Sequence, residues 1–410
     1  MSTPIKSFAA LKFVGFRWHM LTFMLAMMAD NIEHVISYWL LYQKFHSTEL
    51  AGFAVVSHWL PFLFFSVPAG ALADRFDPRR LIQIGILMFM SCSLGWAYFF
   101  ITDTLEMWHA MVLLVIHGCS GVLWHTTSQL LLYEIVDTET LPSAVRLLAT
   151  SRYLGLLIGP AVGGLLMLTL GPENGLLFNV LIYLPTIIWL WRAPYGPKFR
   201  TTPAPVKRAF RGLKDIIQTI RDISGQPKIV SMVLLAGTTS FIVGNSYQPQ
   251  MPAFAEGLGH GNPGVLYSML LAADAAGALI AGFILESRSL LKPNPRSTLI
   301  LAICWCVMLG SFALSTNFYL ALALLLLCGF FELSFNSMAQ TIVQINAPVE
   351  LRGRTIGLFN MAAMGMRAGS GITVGLVGGM IGIHASLSLA CFILLLCIGG
   401  LLYRFGRYQS

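Results

Sequence analysis

Charge is scarce in this sequence. Only 11% of its 410 residues are Asp, Glu, Lys or Arg, against 56% hydrophobic types, and the mean hydropathy is +0.73. A soluble globular chain carries about 25% charged residues, so an ordinary soluble domain is excluded. Intrinsic disorder is excluded by the same numbers. No HExxH, phosphate-binding loop or nucleophile–base spacing is present, and the loops are too short for a catalytic domain, so an enzyme is not expected. None of the seven cysteines (Cys92, Cys119, Cys304, Cys306, Cys328, Cys391, Cys397) falls in a CxxC knuckle, and all lie in apolar runs. They read as small packing residues rather than disulfides or metal ligands, and no cofactor is expected. The N-terminus lacks a small-residue cleavage site, so a cleaved signal peptide is not expected. The net charge of +8 does not mark a nucleic-acid partner, because the 26 Lys and Arg are spread over separate short loops.

What the sequence has in abundance is long apolar runs. A spanning helix needs about 20 apolar residues. Runs lie near 17–42, 49–72, 81–101, 107–135, 141–169 and 173–192, then near 229–250, 262–286, 297–316, 318–345, 353–380 and 383–404. Alternating these twelve spans through a membrane places 23 of the Lys and Arg on one side and only Lys44 on the other; Arg152 and Arg367 fall inside spans. Basic loops face the cytoplasm, so both termini and the central loop are expected there. The expected fold class is an all-α membrane protein: 12 transmembrane helices in two six-helix bundles, residues 1–192 and 229–410, in a bacterial inner (plasma) membrane.

Residues 193–228 form the expected linker. Four prolines are followed by Phe210, Leu213, Ile216, Ile217, Ile220 and Ile223 at helical spacing, with Arg208, Arg211, Lys214 and Arg221 on the other face. Such a helix suits the anionic leaflet surface, and membrane lipids are expected partners. The two halves carry a faint repeat. Gly70-Ala-Leu-Ala-Asp74 closes the second span, and Gly282-Phe-Ile-Leu-Glu286 closes the eighth, 212 residues later. Parallel repeats of this kind are a common transporter plan.

Two motifs carry a family resemblance. The loop Gly70-Ala-Leu-Ala-Asp74-Arg75-Phe-Asp77-Pro78-Arg79-Arg80 resembles the signature loop of the major facilitator superfamily. That resemblance implies a latch between the halves, carried by Gly70, Asp74, Arg75 and Arg79. The Asp77-Pro78 pair departs from the glycine common in the family. In span five, Gly155-Leu-Leu-Ile-Gly159-Pro160-Ala-Val-Gly163-Gly164 matches the Gly-x-x-x-Gly-Pro-x-x-Gly-Gly signature of the antiporter branches. Its glycines permit close helix packing, and Pro160 permits a bend. Gly371, Gly375 and Gly379 make a similar stripe in span eleven. Leu141-Pro-Ser-Ala and Leu351-Arg-Gly-Arg354 look like the branch that contains the enterobactin exporter and macrolide efflux pumps. One departure matters: the proton-antiporter arginine motif of span four is absent, and the sequence there reads Leu114-Val-Ile-His117-Gly118.

Ionisable groups at membrane depth cost about 2.5–3.5 kcal/mol each on insertion scales and are candidate functional groups. Span one supplies Asp30, Glu33 and His34, with Asp30 and His34 on one helix face. Arg152, Asp274, Glu332 and Arg367 lie in spans five, eight, ten and eleven, and His58, His117 and His125 in spans two and four. Three readings are open for the span-one cluster. It can be a proton-coupling site whose carboxylates alternate between charged and neutral forms. It can bind a divalent metal as cargo, since its Asp-x-x-x-His resembles that of an iron exporter. Or it can pair with Arg152 or Arg367 to hold the halves together. Aromatics such as Trp39, Trp59, Phe62, Trp124, Tyr153, Phe241 and Tyr247 can line a cavity or pack as membrane belts. Span seven is expected to break near Gly244–Pro249. The expected function is proton-coupled export of an amphipathic small molecule, drug-like or a siderophore, by a monomer working through alternating access. The alternative is a divalent-metal exporter using Asp30 and His34.

Overall fold

Helices occupy the places that the apolar runs mark. The computed structural model describes residues 8–45, 48–197, 199, 214–244, 246–248, 250–258, 263–288, 293–370, 373–374 and 377–405. The first six spans are α1 (Val14–Phe45), α2 (Thr48–Arg75), α3 (Pro78–Ile101), α4 (Met107–Ile135), α5 (Leu141–Leu170) and α6 (Pro172–Arg192). A short α7 (Lys214–Ile223) follows. The second six comprise α8 and α9 (Pro227–Ile242, Met251–Leu258), α10 (Pro263–Arg288), α11 (Pro295–Leu314), α12 (Phe318–Asn346), a broken eleventh span, and a final helix, Ile383–Phe405. The broken span runs as α13 (Arg352–Asn360), a π-helical turn (Met361–Gly365), α14 (Arg367–Ser370) and α15 (Val377–Ile381); the final helix is α16. Nine described helices are long and apolar enough to cross a membrane. The other three spans are α1, which carries the polar cluster, and the interrupted seventh and eleventh.

Local sequence sets the helix ends. Asp77 caps α3, accepting from the Arg79 amide at 3.0 Å, and Pro78 sits at the first helical position, where its missing N–H costs nothing. The Asp77-Pro78 departure is therefore a helix start. Asn294-Pro295 starts α11 in the same way. Pro160 lies inside a helix that runs without interruption from Leu141 to Leu170. The interruption falls in span eleven instead. A π-turn there widens the ladder, a feature that recurs at functional sites. Of the span-eleven glycines, Gly371 and Gly375 lie outside the described residues, as do 200–213 of the linker.

The two halves repeat one packing scheme. In the first, α1 packs on α5 and α6, α4 on α2 and α3, and α3 on α6. In the second, α8 packs on the π-turn, α14 and α16, α12 on α10 and α11, and α11 on α16. The large apolar cores follow the same division: two are built within residues 10–190, and one, apart from Val67, within 223–398. Large apolar residues such as Leu165, Leu168, Leu181, Ile188 and Phe392 are exposed on the outside, which suits contact with lipid chains. The helix α7 rests on α2 and α13 through its Ile223 side, while Ile217 and Ile220 stay exposed.

The bundles exchange helices where they meet: α2 packs on α13, and α10 on α5, the same contact made twice around a pseudo-two-fold axis. Gly70 lies against Gly353 so closely that a Cβ on either would overlap the other's backbone. These contacts gather at the end of the molecule that carries the basic loops, so that end is closed.

Candidate transport site

The cluster expected on α1 is assembled from four helices. Glu33, only 1% exposed, receives a short hydrogen bond from Ser93 of α3. Asn179 of α6 contacts that hydroxyl at 3.2 Å and donates to the Ala29 carbonyl of α1 at 3.0 Å. From α4 comes His117, which bridges both acids. Its Nδ1 lies 2.8 Å from Glu33 Oε1, and its Nε2 lies 2.7 Å from Asp30 Oδ1. His34 Nδ1 lies 3.8 Å from Asp30 on the more open side. A neutral imidazole has one N–H and can donate to only one carboxylate. Both contacts at once require either an imidazolium or a proton on one of the acids. The chain Asp30–His117–Glu33 therefore stores a proton within hydrogen bonds already made. Arg152 and Arg367, expected as possible partners, meet neither acid within ion-pair distance among the described residues; the span-four imidazole does.

His34, His58 and His117 converge, with one nitrogen from each lying within 4.8 Å of the others. Both nitrogens of His117 are already held by carboxylates, so an ion there would have to displace Asp30 or Glu33. From this cluster a run of rings crosses between the bundles. His58 lies 4.9 Å from His34 and 4.6 Å from Trp59, and the Arg367 guanidinium sits 5.0 Å over the Trp59 ring.

Arg367 belongs to a cavity of about 60 Å³ between the bundles, which Arg152, Gln129, Asn336, Gln340 and Asn360 also line. Gln129 donates to Asn360 Oδ1 across the interface at 3.3 Å. Glu332 is buried near this cavity and accepts from Tyr247 at 3.2 Å, with Asp274 of α10 beside it. Tyr153 is on the cavity wall, Trp59 faces Arg367, and Tyr247 is fully buried, whereas Trp39 and Phe241 are exposed on the outside.

Two clasps close the basic end. Asp74 accepts from the Gly353 amide at 2.7 Å and the Arg354 amide at 3.3 Å, at the start of span eleven, where the helix dipole favours a carboxylate. Its counterpart in the repeat, Glu286, is fully buried against the start of α5. It accepts from Arg146 Nε at 2.8 Å and, at short range, from Ser143. Arg75 is exposed. Arg79 pairs with Asp77 at 2.8 Å and donates to the Ala193 carbonyl, contacts made within the first half and with the first residue of the linker, not with the second half. Glu286, Arg146 and Ser143 were not singled out from the sequence, although the Gly282–Glu286 repeat and the Leu141-Pro-Ser-Ala phrase both pointed at them.

The glycine stripe of α5 packs on α1. A Cβ on Gly159 would lie 2.6 Å from Asn31 Cβ and 2.9 Å from the Met28 carbonyl, and one on Gly155 would meet Met24 and Met27. Gly163 faces Ile32 and Val35, while Gly164 faces nothing within 4 Å. The stripe thus seats α1, with its acids, against α5, with Arg152.

Two repeated six-helix bundles, a small polar cavity between them and paired clasps at one end define a transporter of the major facilitator superfamily, not an enzyme. The family of transmembrane secretion effectors matches residues 5–407, and the chain belongs to it, in the exporter branch of that superfamily. The enterobactin exporter EntS of Shigella boydii serotype 4 (strain Sb227) is 25% identical over 342 residues, 82% of this chain and 77% of that one. EntS of Escherichia coli O9:H4 (strain HS) is 24% identical over the same length. Among solved structures, the E. coli fucose:proton symporter FucP superposes with a TM-score of 0.72 at 13% identity, covering 96% of this chain and 98% of that one. The human organic anion transporter MFSD10 gives 0.67 at 13% identity, covering 94% and 98%. These structures bear on the fold alone. The chain is an integral inner-membrane protein that handles small molecules.

Proposed function

We propose that this protein is a proton-coupled antiporter exporting an amphipathic small molecule of the siderophore or drug type. Residues 1–192 and 229–410 rock about the central cavity, joined by 193–228, with the basic end and both termini in the cytoplasm. The observation that carries the reading is the Asp30–His117–Glu33 chain, buried at membrane depth and linked through His34, His58 and Trp59 to Arg367 in the opposite bundle. A proton added on the His34 side leaves Asp30 uncharged and loosens its hold on the imidazolium. Protonation drives transport only if it has a different free energy in the two orientations of the bundles. His34, which is part-exposed, is the proposed point of proton entry while the basic end is clasped shut. Kinship with enterobactin exporters supports the cargo class and the outward direction.

The test is accumulation of enterobactin and of a macrolide, side by side, in inside-out proteoliposomes. Uptake that requires an acid interior and stops when a protonophore collapses the gradient is the expected result. Undiminished uptake without a gradient would sink the coupling, and failure of both cargoes to accumulate would sink the cargo class. Asp30→Asn should fold and lose gradient-driven uptake.

A further inference from the structure

Arg152 and Arg367 are the charged side chains on the cavity wall, one from each bundle. They are counterparts in the internal repeat. Arg152 precedes Gly155 in span five, Arg367 precedes Gly371 in span eleven, and the arginines are 215 residues apart where the glycines are 216 apart. The rest of the polar wall is rich in amide donors: Gln129, Asn336, Gln340 and Asn360. Among the described residues no carboxylate lines the cavity, and neither guanidinium lies within ion-pair distance of one. Glu332 acts on both from behind the wall, where it is engaged by Tyr247. The two guanidiniums act on each other as like charges, and repulsion in a partly dry site is poorly screened.

We infer that Arg152 and Arg367 together form the receptor for an anionic headgroup of the cargo, a carboxylate or similarly compact anion on an amphipathic organic acid. This rests on the exporter reading and narrows its cargo to organic acids, which sets basic drugs such as macrolides aside. A guanidinium fork matches a carboxylate in two hydrogen bonds, and two forks facing from opposite bundles can hold one anion between them. The bound anion also removes the repulsion that opposes closure. It therefore has a differential affinity for the closed arrangement, which any ligand that drives a conformational change must have. Phe23, Tyr153 and Phe359 on the same wall offer apolar contact to the body of the molecule. The present volume of about 60 Å³ admits the headgroup alone; ligand pockets for whole molecules run to about 300–1,000 Å³, so the body needs the room that opening supplies.

The experiment uses the full-length purified protein and three matched probes: 2-naphthoate, its neutral amide 2-naphthamide, and the cation 2-naphthylmethylammonium. Binding is measured by calorimetry and thermal shift. Naphthoate should bind, more weakly as salt rises, and naphthamide at least about tenfold more weakly, since hydrogen bonds to charged groups are the stronger ones. Arg152→Gln and Arg367→Gln should each lose about tenfold or more in naphthoate affinity, with the Lys variants in between because charge is kept and the fork is lost. Should the Gln variants fail to fold, the naphthoate-to-naphthamide ratio in wild type and the Lys variants decides. Equal binding of naphthamide, tighter binding of the ammonium probe, unchanged naphthoate affinity in folded Gln variants, or no naphthoate binding at millimolar concentration would each overturn the inference. These readouts need neither vesicle nor gradient. A protein that exports yet ignores the probe's charge refutes the receptor alone; one that binds naphthoate yet moves no cargo refutes the exporter reading alone.

Discussion

Replacing Glu286 with Gln should open the basic end of the protein. In the clasped state Glu286 is fully buried, and Arg146, only 7% exposed, has Glu286 as its ion-pair partner. Removing one member of a buried pair leaves the other charge uncompensated, at a cost of about 3–5 kcal/mol. That cost falls on the clasped state only, because parting the bundles lets water reach Arg146. Conformational states of such proteins differ by a few kcal/mol, and a shift of ~3 kcal/mol is a factor of roughly 100 in population. The variant should therefore pass from mostly clasped to mostly open. The assay is a pulsed electron-spin distance measurement between labels at Arg75→Cys and Glu350→Cys, which flank the closed end, on a background lacking the seven native cysteines. A distance distribution identical to that of the parent would refute the reasoning. So would a loss of thermal stability with no change in distance, which would make the pair a fold element rather than a clasp.

Other expectations follow from the same geometry. Gly70→Val should shift the distance distribution in the direction of Glu286→Gln, because a side chain there overlaps the Gly353 backbone only when the end is closed. Gly159→Ala should lower thermal stability by about 1–3 kcal/mol through overpacking against Asn31 and Met28, while Gly164→Ala, with open space around it, should leave the melting temperature unchanged. Outside the membrane, hydrogen bonds from the Thr140 hydroxyl and then from its amide, supported by Lys12, hold the Asp137 carboxyl below its ordinary range. A depressed carboxyl stabilises the fold above the unfolded value of about 3.9, and that contribution fades as pH falls through the lower folded value. Thr140→Pro, which removes both the hydroxyl and the amide donor, should flatten the melting temperature's acid-side dependence below about pH 4; an unchanged slope would assign it elsewhere.

The spans were legible because each is a local property. The run expected at 141–169 is the helix Leu141–Leu170, and the run at 107–135 is Met107–Ile135. The seventh span interrupts after Ile242, where Gly244 takes a φ of 52°. Membership of the superfamily followed from motifs written in consecutive residues. The partners of buried charges were not legible. Asp30 could be seen to need a partner, but His117 lies 87 residues away on another helix, and no periodicity links the two. Span four even announced the imidazole, by placing His117 in the stretch where the arginine motif is missing. In the same way, the Gly282–Glu286 repeat was visible as a pattern, while its contact with Ser143 and Arg146 needed the pseudo-two-fold arrangement of the bundles. Pro160 sits within the continuous helix α5, and the span that is interrupted is the eleventh, whose π-turn contains no proline.

Coupling through the imidazole bridge is tested most directly by following cargo and protons together. Proteoliposomes holding a pH dye, given enterobactin on one side, should show proton movement with cargo movement for the wild type. His117→Gln can keep a hydrogen bond to each acid but cannot carry the proton. It should still exchange cargo down its own gradient, with no accompanying change in interior pH. A pH change per cargo molecule in His117→Gln equal to that of the wild type would contradict the account.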